Sequence, residues 1–302
     1  MADTLVHVVL LLVMPPVLLG VINKTKSWFG GRKGPHVLQM YFDIAKLLRK
    51  GFVLSTTTTT MFVLGPAITL VSVMLAGILV PLGGFRAPLS FTGDFILFAY
   101  LFGMSRFFTM TAALDTGSAF EGMGAAREGT FAVLSEPALF FVFLTLARLS
   151  GSLSLDGILH ASVGNFSAGT AAPLILSVFG LFAVLLAETC RIPVDDPNTH
   201  LELTMIHEVM VLDHGGPLLG IIEYASSIKL FVLGSMLMNV IFPFSMDNAF
   251  LGWGVFILQL LVLSVVIGVI ESIMARLRMK RVQYLLISAL LLCGAGFLLL
   301  VR

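Results

Sequence analysis

The chain has 302 residues, 58% of them hydrophobic and only 12% charged, with 18 Lys and Arg against 17 Asp and Glu. A soluble domain carries roughly 25% charge, and a soluble chain of this length could not hide so much apolar surface in one core, which excludes an ordinary soluble enzyme and a disordered chain alike. The net charge of +1 gives no whole-chain argument for nucleic acid, and two cysteines, Cys190 and Cys293, make no disulfide framework.

A membrane-spanning helix needs ~20 mostly apolar residues. The sequence predicts eight, at about 4–23, 61–82, 94–114, 130–150, 171–189, 226–244, 250–272 and 283–301. The fold class is therefore all-α: a polytopic membrane protein with eight transmembrane helices and cytoplasmic amphipathic and loop segments, forming one membrane domain over 1–302. The first span has no basic leader and carries Pro15 and Pro16, so it reads as a kinked span and not as a cleaved signal. Lys and Arg mark the cytoplasmic side. The first, third, fifth and seventh connections hold thirteen of them, from Lys24 to Arg281, against Arg86, Arg148 and Arg302 opposite. Both termini are thus expected outside a prokaryotic cytoplasmic (inner) membrane.

Ionisable groups at mid-depth cost at least ~2.5–3.5 kcal/mol each and point to function and to a partner. Arg106 falls well inside the third span and Glu136 inside the fourth; Glu188 ends the fifth, Lys229 begins the sixth and Glu271 ends the seventh. Several acids near one face would make a proton-accepting chain. Residues 114–128, with three glycines and the Arg127-Glu128 pair, read as a folded loop at membrane depth. Residues 188–214 hold Glu188, Arg191, Asp195, Asp196, His200, Glu202, His207, Glu208, Asp213 and His214. Asp196-Pro197 looks like the cap and first position of a short helix running to about 210. That helix would set His200 and His207 on one face. The spacing is a poor metal signature without a cysteine pair, and a relay or docking loop suits it better.

Taken in order, several segments carry a family likeness. They are Gly31-Arg32-Lys33-Gly34-Pro35 with Gln39, Asp43 and Lys46; Arg106-Phe107-Phe108; Leu114-Asp115-Thr116-Gly117-Ser118; Gly124-Ala125-Ala126-Arg127-Glu128; Glu136-Pro137; Glu188-Thr189 with Arg191, Pro193 and Asp195; and Glu271 with Met274-Ala275-Arg276-Leu277-Arg278. Together they resemble the eight-helix subunit shared by respiratory complex I and the membrane-bound [NiFe] hydrogenases, nearer the formate hydrogenlyase branch. The resemblance implies a membrane anchor that links a cytoplasmic electron-transfer arm to proton or ion translocation. It implies a proton path through Glu136, Glu188, Asp195, His200, Glu202, Glu208 and Glu271. It also implies a cavity and arm interface at Arg32, Asp43, Lys46, Arg106, Asp115, Glu121, Arg127, Glu128 and Arg191.

The same resemblance implies no catalytic residue, metal or cofactor in this chain. Iron–sulfur clusters, and a nickel–iron site in hydrogenases, would belong to partners: a cluster-bearing small subunit, a large subunit and antiporter-like membrane subunits. One departure stands out. Where the family runs Phe-Asp and then several Glu after Pro193, this chain has Val194-Asp195-Asp196-Pro197-Asn198-Thr199-His200. Two other functions fit the same residues: a quinone-site subunit of a complex I-type NADH dehydrogenase, and an independent ion or solute transporter, which the lack of an internal repeat disfavours.

Overall fold

The computed structural model describes residues 2–161, 168–196, 205–243 and 248–301. The chain folds into ten α-helices among those residues: α1 (Ala2–Phe29), α2 (Gln39–Leu48), α3 (Thr60–Leu79), α4 (Asp94–Asp115), α5 (Ala119–Ser150), α6 (Leu155–Ala161), α7 (Ala168–Glu188), α8 (Gly216–Ile241), α9 (Ala249–Ile273) and α10 (Met279–Val301). Eight of these, all but the short α2 and α6, are long and apolar enough to cross a membrane.

The bundle is built around α8, in which every residue from 230 to 240 is buried. Helices α1 and α3 pack on α8, α9 packs on α1, and α10 closes the far side against α5 and α7. Small residues set the close approaches. A Cβ at Gly268 would meet the Thr25 side chain at 2.7 Å, and one at Gly180 would meet Cys293 Sγ at 2.0 Å. The outward faces stay apolar: Leu258, Val262 and Val265 of α9 and Leu291 and Leu298 of α10 are exposed, as lipid contact requires.

Carboxylates fix the helix ends. Asp94 accepts from Leu155 N (2.6 Å), Phe91 N (3.2 Å) and Ser154 Oγ (3.1 Å), tying the start of α4 to the turn before α6. At the opposite end of α4, Asp115 accepts from Thr59 N and Thr59 Oγ1 (both 2.7 Å) and from Phe62 N (3.2 Å). It therefore caps α3 from the neighbouring α4, satisfying N–H groups that have no partner within that helix.

Three sequence expectations change. Residues 114–128 are not a loop: the turn is confined to 116–118, and α5 runs 32 residues from Ala119, about 48 Å at 1.5 Å per residue. Gly124 serves packing there. A Cβ on Gly124 would strike Val209 Cγ1 at 2.4 Å and Ile206 O at 3.0 Å, so the bare helix surface seats the 205–211 segment. Helix α8 starts at Gly216, ten residues earlier than the apolar run suggests, which puts Lys229 inside the helix and not at its start. Finally, of the helix expected from 197 to about 210, residues 197–204 lie outside the described residues, 205–207 are not helical, and a 3-10 turn follows at Glu208–Val211.

Candidate functional site

The intramembrane charges converge on Arg106. This side chain is 5% exposed, and its three nitrogens reach three carboxylates. Nε donates to Glu128 Oε1 at 3.2 Å, while the two terminal nitrogens donate to Glu136 Oε1 and Glu188 Oε1. Glu128 and Glu136 are eight residues apart on α5, which places them on one face. Glu188 comes from the last turn of α7, and its carboxylate also accepts from Ser135 Oγ at 2.9 Å. Lys229 of α8 lies 3.8 Å from Glu188 Oε2 and 5.7 Å from the centre of the Phe102 ring. Four helices therefore contribute to one cluster of three acids and two cations.

Glu188 lines three cavities. A cavity of about 220 Å³ runs from Tyr100 and Phe140 past Glu136 and Arg106 to Glu188. A second, of about 20 Å³, is lined by Thr69, Ser105 and Thr109 on one side and by Lys229, Cys190 and His207 on the other. It is large enough for a single water, and its hydroxyls and charges supply the polar partners a buried water needs. A third, of about 10 Å³, joins Glu188 to Glu128 and the Ile206 side of the loop. The side chain of Glu136 is 47% exposed and Glu188 only 6%, so the cluster grades from an open edge to a closed centre.

Beyond Glu188 the chain turns through Cys190, at φ +51°, into a second set of charges. Glu271 pairs with Lys26 of α1 at 2.8 Å and with Arg191 at 3.4 Å. Asp195, fully buried, accepts from the backbone N–H groups of Asp196 (2.9 Å), Ile206 (2.9 Å) and His207 (3.2 Å), and pairs with Arg276 at 2.9 Å. Leu277 N donates to Pro193 O at 2.9 Å. Burial, together with the nearby Glu223 and Asp195, raises the Glu208 carboxyl to about 7. Burial and the Lys229 charge lower His207 to about 4. At neutral pH His207 is thus a neutral imidazole, and Glu208 is poised near half-ionisation.

Of the residues expected on a proton path, Glu136, Glu188, Asp195, Glu208 and Glu271 lie along these two sets, while His200 and Glu202 fall outside the described residues. The other candidates separate. Arg106, Glu128 and Arg191 belong to the charge sets. Arg127 donates to Met205 O at 2.7 Å and holds the loop. Glu121, fully buried, accepts from Asp213 N at 2.9 Å. Asp115 is a helix cap. Asp43 accepts from Gln39 Nε2 at 3.0 Å on the exposed α2, which also carries Lys46. Arg32 faces a cavity between α1 and α9, away from the acids.

Sequence reasoning left Lys26, Lys229 and Arg276 out of the site, although each is the cationic partner of a buried acid. The available signal was the lone lysine of α8 amid apolar residues. Among the described residues, no three His, Cys, Asp or Glu side chains come together as a metal set.

Comparison with known proteins adds the family context. The profile of the NADH dehydrogenase family matches residues 2–302. The chain is 30% identical over 281 residues to formate hydrogenlyase subunit 4 of Escherichia coli (strain K12), covering 91% of this chain and 90% of that one. It is 29% identical over 286 residues to hydrogenase-4 component C of the same organism, covering 93% and 89%. Its fold matches a chain in the structure of the membrane-bound sulfane sulfur reductase, an archaeal respiratory membrane complex. That match has a TM-score of 0.84 at 19% identity, over 98% of both chains.

Proposed function

We propose that this chain, which belongs to the NADH dehydrogenase family, uses the Arg106 cluster to pass protons between the cytoplasmic face and its partners. It is a membrane anchor and coupling subunit of a hydrogenase-like or complex I-related assembly. The observation that carries the proton role is Glu188: a closed carboxylate, bonded to Arg106 and Ser135, that lines three cavities. A carboxylate in that position can take a proton from one cavity and release it to another without moving its backbone. The second set, Glu208, Asp195 and Glu271, then forms the cytoplasmic approach, with Glu208 able to exchange protons near neutrality.

In this reading the electron-transfer arm, with its iron–sulfur clusters, docks over the cytoplasmic connections. Antiporter-like subunits meet the open edge at Glu136, and both termini lie outside the inner membrane. The test is Glu188→Gln in the assembled complex, reconstituted in vesicles. Gln keeps the hydrogen-bonding shape but cannot carry the proton. Electron transfer should persist while the ions moved per electron fall severalfold. Unchanged coupling in a fully assembled variant would remove Glu188 from the path.

A further inference from the structure

The lipid-facing side of α1 and α9 carries a feature that the proton path does not use. A cavity of about 620 Å³ opens between the last turns of these two helices. Its floor is apolar, with Val265 and Val269 on α9 and the Trp28 ring on α1, and its rim holds Lys24, Arg32 and Lys33.

The depth follows from α9. The apolar run ends at Ile273, one turn past Val269, and the basic segment begins at Arg276. Gly268 of α9 lies against Thr25 of α1, so both helices end on the same side of the membrane. The cavity is therefore at the boundary between hydrocarbon and headgroups. Trp28, 78% exposed, is a side chain enriched at that level.

The charge on the rim is one-sided. Two lysines of the α1 end diverge: Lys26 turns inward to Glu271 at 2.8 Å, while Lys24 turns to the cavity and donates to Lys33 O at 2.6 Å. Among the described residues, none of Lys24, Arg32 and Lys33 has a carboxylate within ion-pair distance. Three cations over an apolar trough match a ligand with an anionic head and a hydrocarbon tail. Basic pockets between helices on the cytoplasmic side are suited to acidic lipid headgroups.

We propose that this cavity binds one anionic phospholipid. Its phosphate would sit between Lys24, Arg32 and Lys33, and an acyl chain would lie along Val265 and Val269 beside Trp28. A zwitterionic lipid brings its own cation to a rim that is already positive and is the poorer occupant.

The test uses the purified complex containing the full chain, equilibrated with equal amounts of phosphatidylglycerol and phosphatidylcholine and read by native mass spectrometry. The wild type should retain phosphatidylglycerol selectively. The triple variant Lys24→Gln/Arg32→Gln/Lys33→Gln should lose that preference, by about fivefold for each charge removed. Arg32→Lys should keep it. Val265→Trp, which fills the trough and leaves the cations, should also lose the lipid, so the outcome does not hang on one variant folding. Equal retention of the two lipids by the wild type would overturn the proposal, as would undiminished phosphatidylglycerol in the triple variant. Displacement of the lipid by inorganic phosphate alone would overturn the acyl-chain half. If Arg32→Gln sheds the cytoplasmic arm with lipid retention unchanged, the rim is a protein-docking site and the proposal fails.

Discussion

Removing the Arg106 guanidinium gives the sharpest test of the cluster, because one side chain serves three acids. In Arg106→Met, Glu188 at 6% and Glu128 at 15% side-chain exposure lose their shared cation, and Lys229, 3.8 Å from Glu188, remains on one side only. Breaking a buried pair by deleting one partner costs about 3–5 kcal/mol, since an uncompensated charge is left behind. Neutralising Glu136 costs less: Arg106 keeps Glu128 and Glu188, and Glu136→Gln strands no charge on the outer face of the membrane-spanning α5.

The expected order is therefore Arg106→Met far less stable than wild type, Glu136→Gln close to it, and the double variant Arg106→Met/Glu188→Gln partly recovered. The recovery follows because the second change removes the charge that the first stranded. Cys190 lines two of the cavities beside Glu188. In a Cys293→Ser background its rate of alkylation in detergent reports opening of the cluster, alongside the thermal midpoint of the complex. If Arg106→Met leaves both readouts at wild-type values, or if the double variant is no better than the single one, the guanidinium is not the hub.

Other outcomes follow from the same structure. Because the folded state raises Glu208 to about 7 from the ordinary 4.5, its protonated form is favoured on folding. Its contribution to the seating of 205–211 is full below about pH 4.5 and lost as pH rises through 7. Glu208→Gln should then protect that segment from proteolysis above pH 7 and change little in acid. His207, lowered to about 4, acts in the opposite sense: its contribution is present above 6.5 and lost as pH falls towards 4, a loss that His207→Gln should abolish. Gly124→Leu should unseat the same segment at every pH, with faster proteolysis near 205–211, because the side chain would occupy the space of Val209. For orientation, a cysteine replacing Lys280 should be shielded from a membrane-impermeant thiol reagent in intact cells while one replacing Ser90 labels, in a background free of Cys190 and Cys293; the reverse pattern would invert the topology.

What the sequence showed and what it hid divide along a physical line. Apolar runs of spanning length are legible because the bilayer dictates them, and Arg106 and Glu136 stood out because charge at that depth demands a partner. The partners themselves were harder to read. Lys229 looked like an end marker because lysine usually snorkels to the interface, yet its charge is met within the bundle by Glu188. The three glycines of 114–128 looked like loop punctuation because glycine lowers helix propensity. Gly117 is one, at φ +71° in the turn, but Gly124 is a cleared spot on α5 against which 206–210 lies, and nothing local in the sequence distinguishes the two roles. Arg32, which the family likeness places at the arm interface, lines the trough of α1 and α9.

The turn that follows α7 is pinned to the end of α9 and the α9–α10 connection at three points: Arg191 to Glu271, Pro193 O to Leu277 N, and Asp195 to Arg276. Asp195 also holds the backbone of Ile206 and His207. Mechanically, two connections that are some eighty residues apart in the chain behave as one plate. Glu188 sits three residues before the first of these fastenings. A shift of that plate would reach the last turn of α7 through only the two residues that separate Glu188 from Arg191.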